Sequence, residues 1–245
     1  MTTLTAITTC HDADPGAILA CLAGQTRQAD EILLAMTDDG DPVPRMAGAS
    51  CVTSFPDHRD FGYTKRNALA ESATSEWLGF FCHDDSYHPR YLELMMAAAS
   101  PETDLVWCPW SDRPHCQFRP CDSTLGNFIV RAETFRALNG FEEFGVGAQL
   151  VDPWGRIFNG PNHGLRDAKF IKRLKAVTSR LERVPYLLYY HNVPFWDSVR
   201  PTNWGQPCKG ASYDEWLAYT DKELEAINAK DLPAQEGVGT HEHRG

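Results

Sequence analysis

The sequence has no run of about 18 apolar residues, the least that a bilayer-crossing helix needs, and its opening MTTLTAITTC lacks the basic region that begins a secretory signal. Neither a membrane span nor a leader is therefore expected, and the cytoplasm is the default compartment. Cations are also in short supply, with 23 Lys and Arg against 33 Asp and Glu and a formal net charge of −10. Duplex nucleic-acid binders carry the opposite balance to neutralise phosphates, so that class is set aside. A small phosphorylated ligand is not, because one local cluster of cations or one metal ion suffices to hold it. No internal repeat is visible. The eight cysteines, at 10, 21, 51, 82, 108, 116, 121 and 208, include no CxxC pair. Without that knuckle, Cys108, His115, Cys116 and Cys121 make a weak zinc set, and reduced thiols in a loop are the favoured reading.

What the chain does have is an α/β pattern. At 245 residues it is long enough for one large domain or two small ones with a substantial core. Leu4 to Cys10 is a β-branched run. A helix follows from about Asp14, with Pro15 suited to its first position and Ala17, Ile18, Cys21 and Leu22 forming one apolar stripe. Glu31 to Met36 is a second buried strand, ending in Thr37-Asp38-Asp39-Gly40. Strand, helix and strand in so short a span predict a βαβ unit with parallel pairing. Cys51 to Phe55 reads as a third parallel strand, and GYTKRNAL at 62 opens a helix through about Ser75, with Thr64 as its expected cap. Lys65 and Arg66 at that helix start suit an anion, a solvated basic turn being the plain alternative.

Trp77 to Pro89, WLGFFCHDDSYHP, is the stretch around which the rest is arranged. Its strand-forming residues stop at Asp84 and Asp85, flanked by His83 and His88. A buried strand delivering acids to its C-terminal edge is a common way to build a metal or phosphate site. An Asp-rich turn is the structural alternative. Beyond it the pattern predicts a helix from Pro89 to Ala99, a strand over 104–110, a loop over 111–121, a strand over 127–130 and a helix over 131–138 ended by Asn139-Gly140. Residues 142–164 read as a long irregular segment around Asp152, which in a compact domain points to function. A basic helix over 167–175, a strand over 184–190 leading to His191, an amphipathic helix over 211–229 and an unstructured tail over 231–245 complete the reading.

Four features then fall in one order: a strand ending in Asp38-Asp39-Gly40, the GYTKRNAL helix start, the strand ending FFCHDDSYHP, and GNFIVRAETFRALNGFEE followed by Asp152 and His191. This order resembles the family-2 glycosyltransferases of GT-A fold, over roughly residues 4 to 192. The resemblance implies a Rossmann-like, mostly parallel central sheet flanked by helices. It forms a single domain over 1–230, with a donor half over 1–110 and an acceptor half over 111–230. It implies a nucleotide-sugar donor, a UDP-sugar before others, and a saccharide or other hydroxyl-bearing acceptor. Donor contacts fall on Thr9, Asp38, Asp39, Lys65, Arg66, Asn67, His83 and Asp84. Mn²⁺ or Mg²⁺ would be held by Asp84 and Asp85, whose hard oxygen ligands suit those ions, with His191 as the late histidine of the family. Asp152 is the expected general base of an inverting transfer, with Glu142, Glu143 and Asp167 as substitutes.

The chain departs from the family pattern at two points. Cys82 occupies the place of the first Asp of the usual DxDD, and Val151-Asp152 replaces a Glu-Asp pair, with Arg156 and Arg166 near the arginine normally found further along. Two other functions stay open. A nucleotidyltransferase would carry a Gly-rich loop with Arg and Lys after the first strand, where this chain has CHDADPG. A non-catalytic saccharide- or nucleotide-binding domain of the same fold is compatible with Cys82. Trp154, Trp196 and Trp204 are candidates to line a sugar-binding cleft by stacking on sugar rings, and they and His191 have core packing as their alternative.

Overall fold

The computed structural model describes residues 2–10, 15–37, 48–55, 62–83, 85–111, 125–142, 149–151, 157–159, 163–186 and 188–190, with 218, 221, 222, 224 and 225 near the C-terminal end. Its frame is a seven-stranded sheet. β1 (Leu4–Thr9) pairs in parallel with β2 (Glu31–Thr37), and β2 in parallel with β3 (Cys51–Phe55). On its other side β1 pairs in parallel with β4 (Trp77–Cys82). Next come β8 (Phe128–Arg131), antiparallel to both its neighbours, then β6 (Leu105–Trp107), and at the edge β11 (Leu181–Arg183), parallel to β6. The order is β11-β6-β8-β4-β1-β2-β3. Strands from both sides of residue 110 thus share one sheet.

β4 shows why the centre of this sheet is stable. Trp77 and Phe81 point to one face, Leu78 and Phe80 to the other, and all four are at most 1% exposed. A strand covered on both sides reads as a continuous apolar run, as WLGFF does. The Trp77 face packs under α1 (Gly16–Ala23) and α3 (Tyr91–Ala97). The Phe80 face packs under α2 (Tyr63–Ser72), α4 (Ala132–Ala137) and α5 (His163–Val177). There Phe80 meets Phe128, Phe135 and Phe141 at ring-centroid distances of 6.1, 5.1 and 5.0 Å. Phe170 closes the cluster against Phe128, Phe135 and Phe141. Among the described residues no helix is long and apolar enough to cross a membrane.

Several expected elements differ in detail. The segment 184–190 is not one strand: β11 ends at Arg183, Pro185 interrupts, and only β12 (Tyr189–Tyr190) follows. β12 lies in a separate small sheet between β5 (Ser86–Tyr87) and β7 (Trp110–Ser111). The stretch expected to be irregular over 142–164 contains an antiparallel pair, β9 (Gln149–Val151) with β10 (Ile157–Asn159), and α5 begins at His163 rather than 167. Gly62, in the left-handed region at φ 80°, caps α2 in place of the expected Thr64. The 111–121 loop beyond Ser111, the helix expected over 211–229 apart from a few residues, and the 231–245 tail lie outside the described residues.

Candidate active site

Because β1 is flanked by β2 on one side and β4 on the other, the order of strands reverses between β1 and β4. The crevice beyond the C-terminal ends of the strands at such a reversal is where open α/β sheets bind ligands. Thr9 and Cys82, the last residues of β1 and β4, are register partners at that edge. The start of α2 is pressed against them. A Cβ on Gly62 would lie 2.7 Å from Thr9 Oγ1, so only glycine lets the helix begin this close. The helix dipole therefore places its positive end at the crevice.

Lys65 and Arg66, in the first turn of α2, are 3% and 5% exposed, which excludes the solvated basic turn. Two adjacent cations in so little solvent carry a desolvation cost of several kcal/mol per ion, which hydrogen-bonding, aromatic and anionic partners offset. Arg66 Nη2 lies 3.6 Å from Cys82 Sγ, and its guanidinium stands 5.5 Å from the centre of the Tyr63 ring. A second guanidinium, that of the fully buried Arg166, lies 4.9 Å from the same ring. The Tyr63 hydroxyl donates to Asp167 Oδ1 at 2.6 Å. Burial first, and the charge of Asp167 next, push the Tyr63 phenol well above its ordinary range, so it stays a donor.

On the β4 side, Asp85 is 2% exposed and accepts a 2.7 Å hydrogen bond at Oδ2 from the Tyr189 hydroxyl. The Cys82 N–H donates to the Tyr87 hydroxyl at 3.3 Å, anchoring the end of β4. Burial raises the phenols of Tyr87 and Tyr189 well above the usual range, and the negative charge of Asp85 adds to both. His83 lies in the turn after β4, partly exposed. Cys10, Cys21, Cys82 and Cys108 are thiols rather than disulfide halves, and burial raises the thiol of Cys21 to about 12 and that of Cys108 further.

The structure thus brings Thr9, Lys65, Arg66, His83 and Asp85 to one end of β1, β4 and α2. Asn67 also holds the backbone at Phe141. Its Nδ2 donates to Phe141 O at 2.8 Å and its Oδ1 accepts from Phe141 N at 2.9 Å, tying α2 to the turn after α4. Gly140 makes this possible, since a Cβ there would lie 2.5 Å from Asn67 Oδ1. Replacing Asn67 with Ala removes both bonds and is expected to cost about 2 kcal/mol, read from the urea midpoint. A change under about 0.5 kcal/mol, half the typical net worth of one such bond, would mean that the turn is held by other contacts. Asp38, Asp39, Asp84, Asp152 and His191 lie outside the described residues, Asp152 directly after the last residue of β9 and His191 directly after β12. Of the substitutes for Asp152, Glu142 is ion-paired with Lys169 at 2.8 Å and Asp167 is buried on Tyr63. Among the described residues no group of three or more His, Cys, Asp and Glu forms a metal cluster.

The sequence places His88 beside Asp84 and Asp85 without giving it a role; its ring is 2% exposed. Its Nδ1 accepts the Arg90 N–H at 3.1 Å, which leaves Nε2–H to donate to Asp221 Oδ1 at 3.0 Å. This contact joins the turn after β5 to the C-terminal region, where Leu224 is also buried. Burial lowers the His88 pKa from 6.5, assisted by Arg90 and opposed by Asp221 and Glu93. The unfolded chain therefore binds this proton more readily, so the contribution of His88 is full above pH 6.5 and falls as the pH drops below it. Urea midpoints at pH 7.5 and 5.5 should show a loss at the lower pH that is smaller in His88→Gln. An equal loss in both proteins would remove His88 as a source.

The chain has the fold of the GT-A glycosyltransferases, with its crevice at the position just described. No family model and no curated protein matches the sequence. Solved structures do. S. aureus TarS 1-349 in complex with UDP-GlcNAc aligns with TM-score 0.57 and 13% identity over 94% of this chain and 67% of its own. S. aureus TarS aligns with TM-score 0.56 and 14% identity over 78% of this chain, which spans only 37% of the TarS chain. Glucosyl-3-phosphoglycerate synthase from Mycobacterium tuberculosis, in complex with Mn²⁺, UDP and phosphoglyceric acid, aligns over 96% of this chain and 80% of its own at 11% identity, with a TM-score of 0.47.

Proposed function

We propose that the protein transfers a sugar from a nucleotide-sugar donor, a UDP-sugar before others, to an acceptor hydroxyl. The observation that carries this reading is the burial of Lys65 and Arg66 in the first turn of α2, at the strand-order reversal and against Thr9 and Cys82. A helix start with two cations at that crevice favours an anionic group such as a diphosphate. The same fold in TarS 1-349 is known in complex with UDP and with UDP-GlcNAc.

In this reading Lys65 and Arg66 hold the diphosphate and stabilise the charge that grows on it as the glycosidic bond breaks. Thr9 and His83 line the donor side, and Asp38 and Asp39 take the base. Asp152 removes the proton of the acceptor hydroxyl on the face opposite the leaving group, which inverts the anomeric centre. A divalent cation, Mn²⁺ or Mg²⁺, would supply Lewis-acid stabilisation of the charge growing on the leaving diphosphate. Asp84, Asp85 and His191 are the residues assigned to it. Asp85 fits the role: it is a buried hard-oxygen donor whose charge acts on two neutral phenols, a field that a cation offsets. Cys82, where a further carboxylate is expected, instead contacts Arg66. The acceptor is a saccharide or another hydroxyl-bearing molecule.

Hydrolysis of a panel of nucleotide-sugars, with and without Mn²⁺, tests the reading. Turnover of at least one UDP-sugar is expected. UDP binding without turnover of any donor would make the chain a non-catalytic nucleotide-binding domain.

A further inference from the structure

We propose that Tyr189 is a positioning residue for the divalent cation at Asp85, acting by holding that carboxylate in one orientation; the inference rests on the metal reading given above. Its hydroxyl donates to Asp85 Oδ2 at 2.7 Å, and neither side chain has solvent around it, Tyr189 being 0% and Asp85 2% exposed. An ionised carboxylate only accepts hydrogen bonds, so the phenol is the donor of this pair and fixes the carboxylate's rotation. Metal ligands are commonly oriented by such outer partners, and affinity depends on them.

The phenol is itself held from several directions. β12 pairs on one side with β5, Tyr189 opposite Tyr87, and on the other with β7, Tyr189 opposite Trp110. The Tyr189 ring lies 5.2 Å from that of Tyr87 at an interplanar angle of 31°. Gly126 covers both rings so closely that a Cβ would stand 2.5 Å from Tyr189 Cε2 and from Tyr87 Oη. No space is left for the ring to swing away.

Tyr189→Phe keeps the ring and removes only the donor. Mn²⁺ binding in the presence of UDP, followed by electron paramagnetic resonance and by calorimetry, should weaken about 10–100-fold. Tyr91→Phe is the packing control. Tyr91 is buried in the same aromatic cluster and donates to Gly126 O at 3.0 Å. It should bind Mn²⁺ as the wild type does, even if its urea midpoint falls. Wild-type Mn²⁺ affinity in Tyr189→Phe, together with loss of binding in Asp85→Asn, would overturn the role of Tyr189 and leave the metal reading standing. Equal weakening in Tyr91→Phe and Tyr189→Phe would overturn it too, by showing a general packing effect. A wild-type protein that binds UDP but no Mn²⁺ would overturn the metal reading and this inference together.

Discussion

Asp152→Asn is expected to lower kcat for sugar transfer by about 10²–10⁴, the usual contribution of a general base, while UDP affinity stays near that of the wild type. An amide of the same shape still accepts a hydrogen bond from the acceptor hydroxyl but does not take its proton. Of the other acids offered by the sequence, Glu143 lies outside the described residues and two are poorly placed to substitute. Glu142 is paired with Lys169, and Asp167 sits in the interior with the Tyr63 hydroxyl on it. Steady-state kinetics with the best donor decides the matter. Activity retained within about tenfold, well short of a general base's share, would show that another group takes the proton.

The largest effect on stability is expected at Phe80. Its ring is 1% exposed and touches three other phenylalanines at 5.0 to 6.1 Å, at the place where β4, β8, α4 and the turn after α4 converge. Phe80→Ala removes most of the side chain from a region with little capacity to collapse, for a cost of about 3–5 kcal/mol. At about 2–4 °C per kcal/mol for a chain of this size, the melting temperature should fall by roughly 6–20 °C. Because Phe141 belongs to the same cluster and is gripped by Asn67, the start of α2 should loosen as well. A loss below about 1 kcal/mol, far under the usual range for a buried Phe truncation, would mean that the neighbouring rings close the gap.

The sequence resolved the elements that have a period or a clear boundary. β1, β2, β3 and β4 are apolar or β-branched runs, and α1, α2 and α3 carry apolar residues at helical spacing. Asn139 and Gly140, both at positive φ, end α4 as their residue types foretell. Short strands were not legible. β5, β7 and β12 have two residues each, and β9, β10 and β11 three, too few to display alternation. Pro109 divides the strand expected over 104–110 into β6 and β7, and Pro185 leaves only β12 of the strand expected over 184–190, because a proline supplies no N–H to a ladder. Pro161 and Gly164 look like the end of a loop, yet α5 begins between them.

The site divides in the same way. Lys65, Arg66 and Asp85 stand out in the sequence because each lies beside a recognisable element boundary. Their contacts do not. Tyr189 reaches Asp85 and Tyr63 reaches Asp167 across 104 residues each, and Arg66 reaches Cys82 across 16. Nothing in a local window distinguishes these tyrosines from core aromatics. The one local hint was that the YY of β12 runs directly into His191.

The antiparallel strand β8 in the middle of the sheet bears on how the chain is made. Synthesis proceeds from the N-terminus, so β1, β2, β3 and β4 are available to pair while the remainder is still being translated. The outer edge of β4 then stays open until Phe128–Arg131 has emerged, and the opposite margin of β6 waits for Leu181–Arg183. For that interval the nascent protein displays the unpaired edge of its most apolar strand, which is the kind of surface that recruits other chains. The central position of β8 therefore makes the second half of the polypeptide the shield for the first.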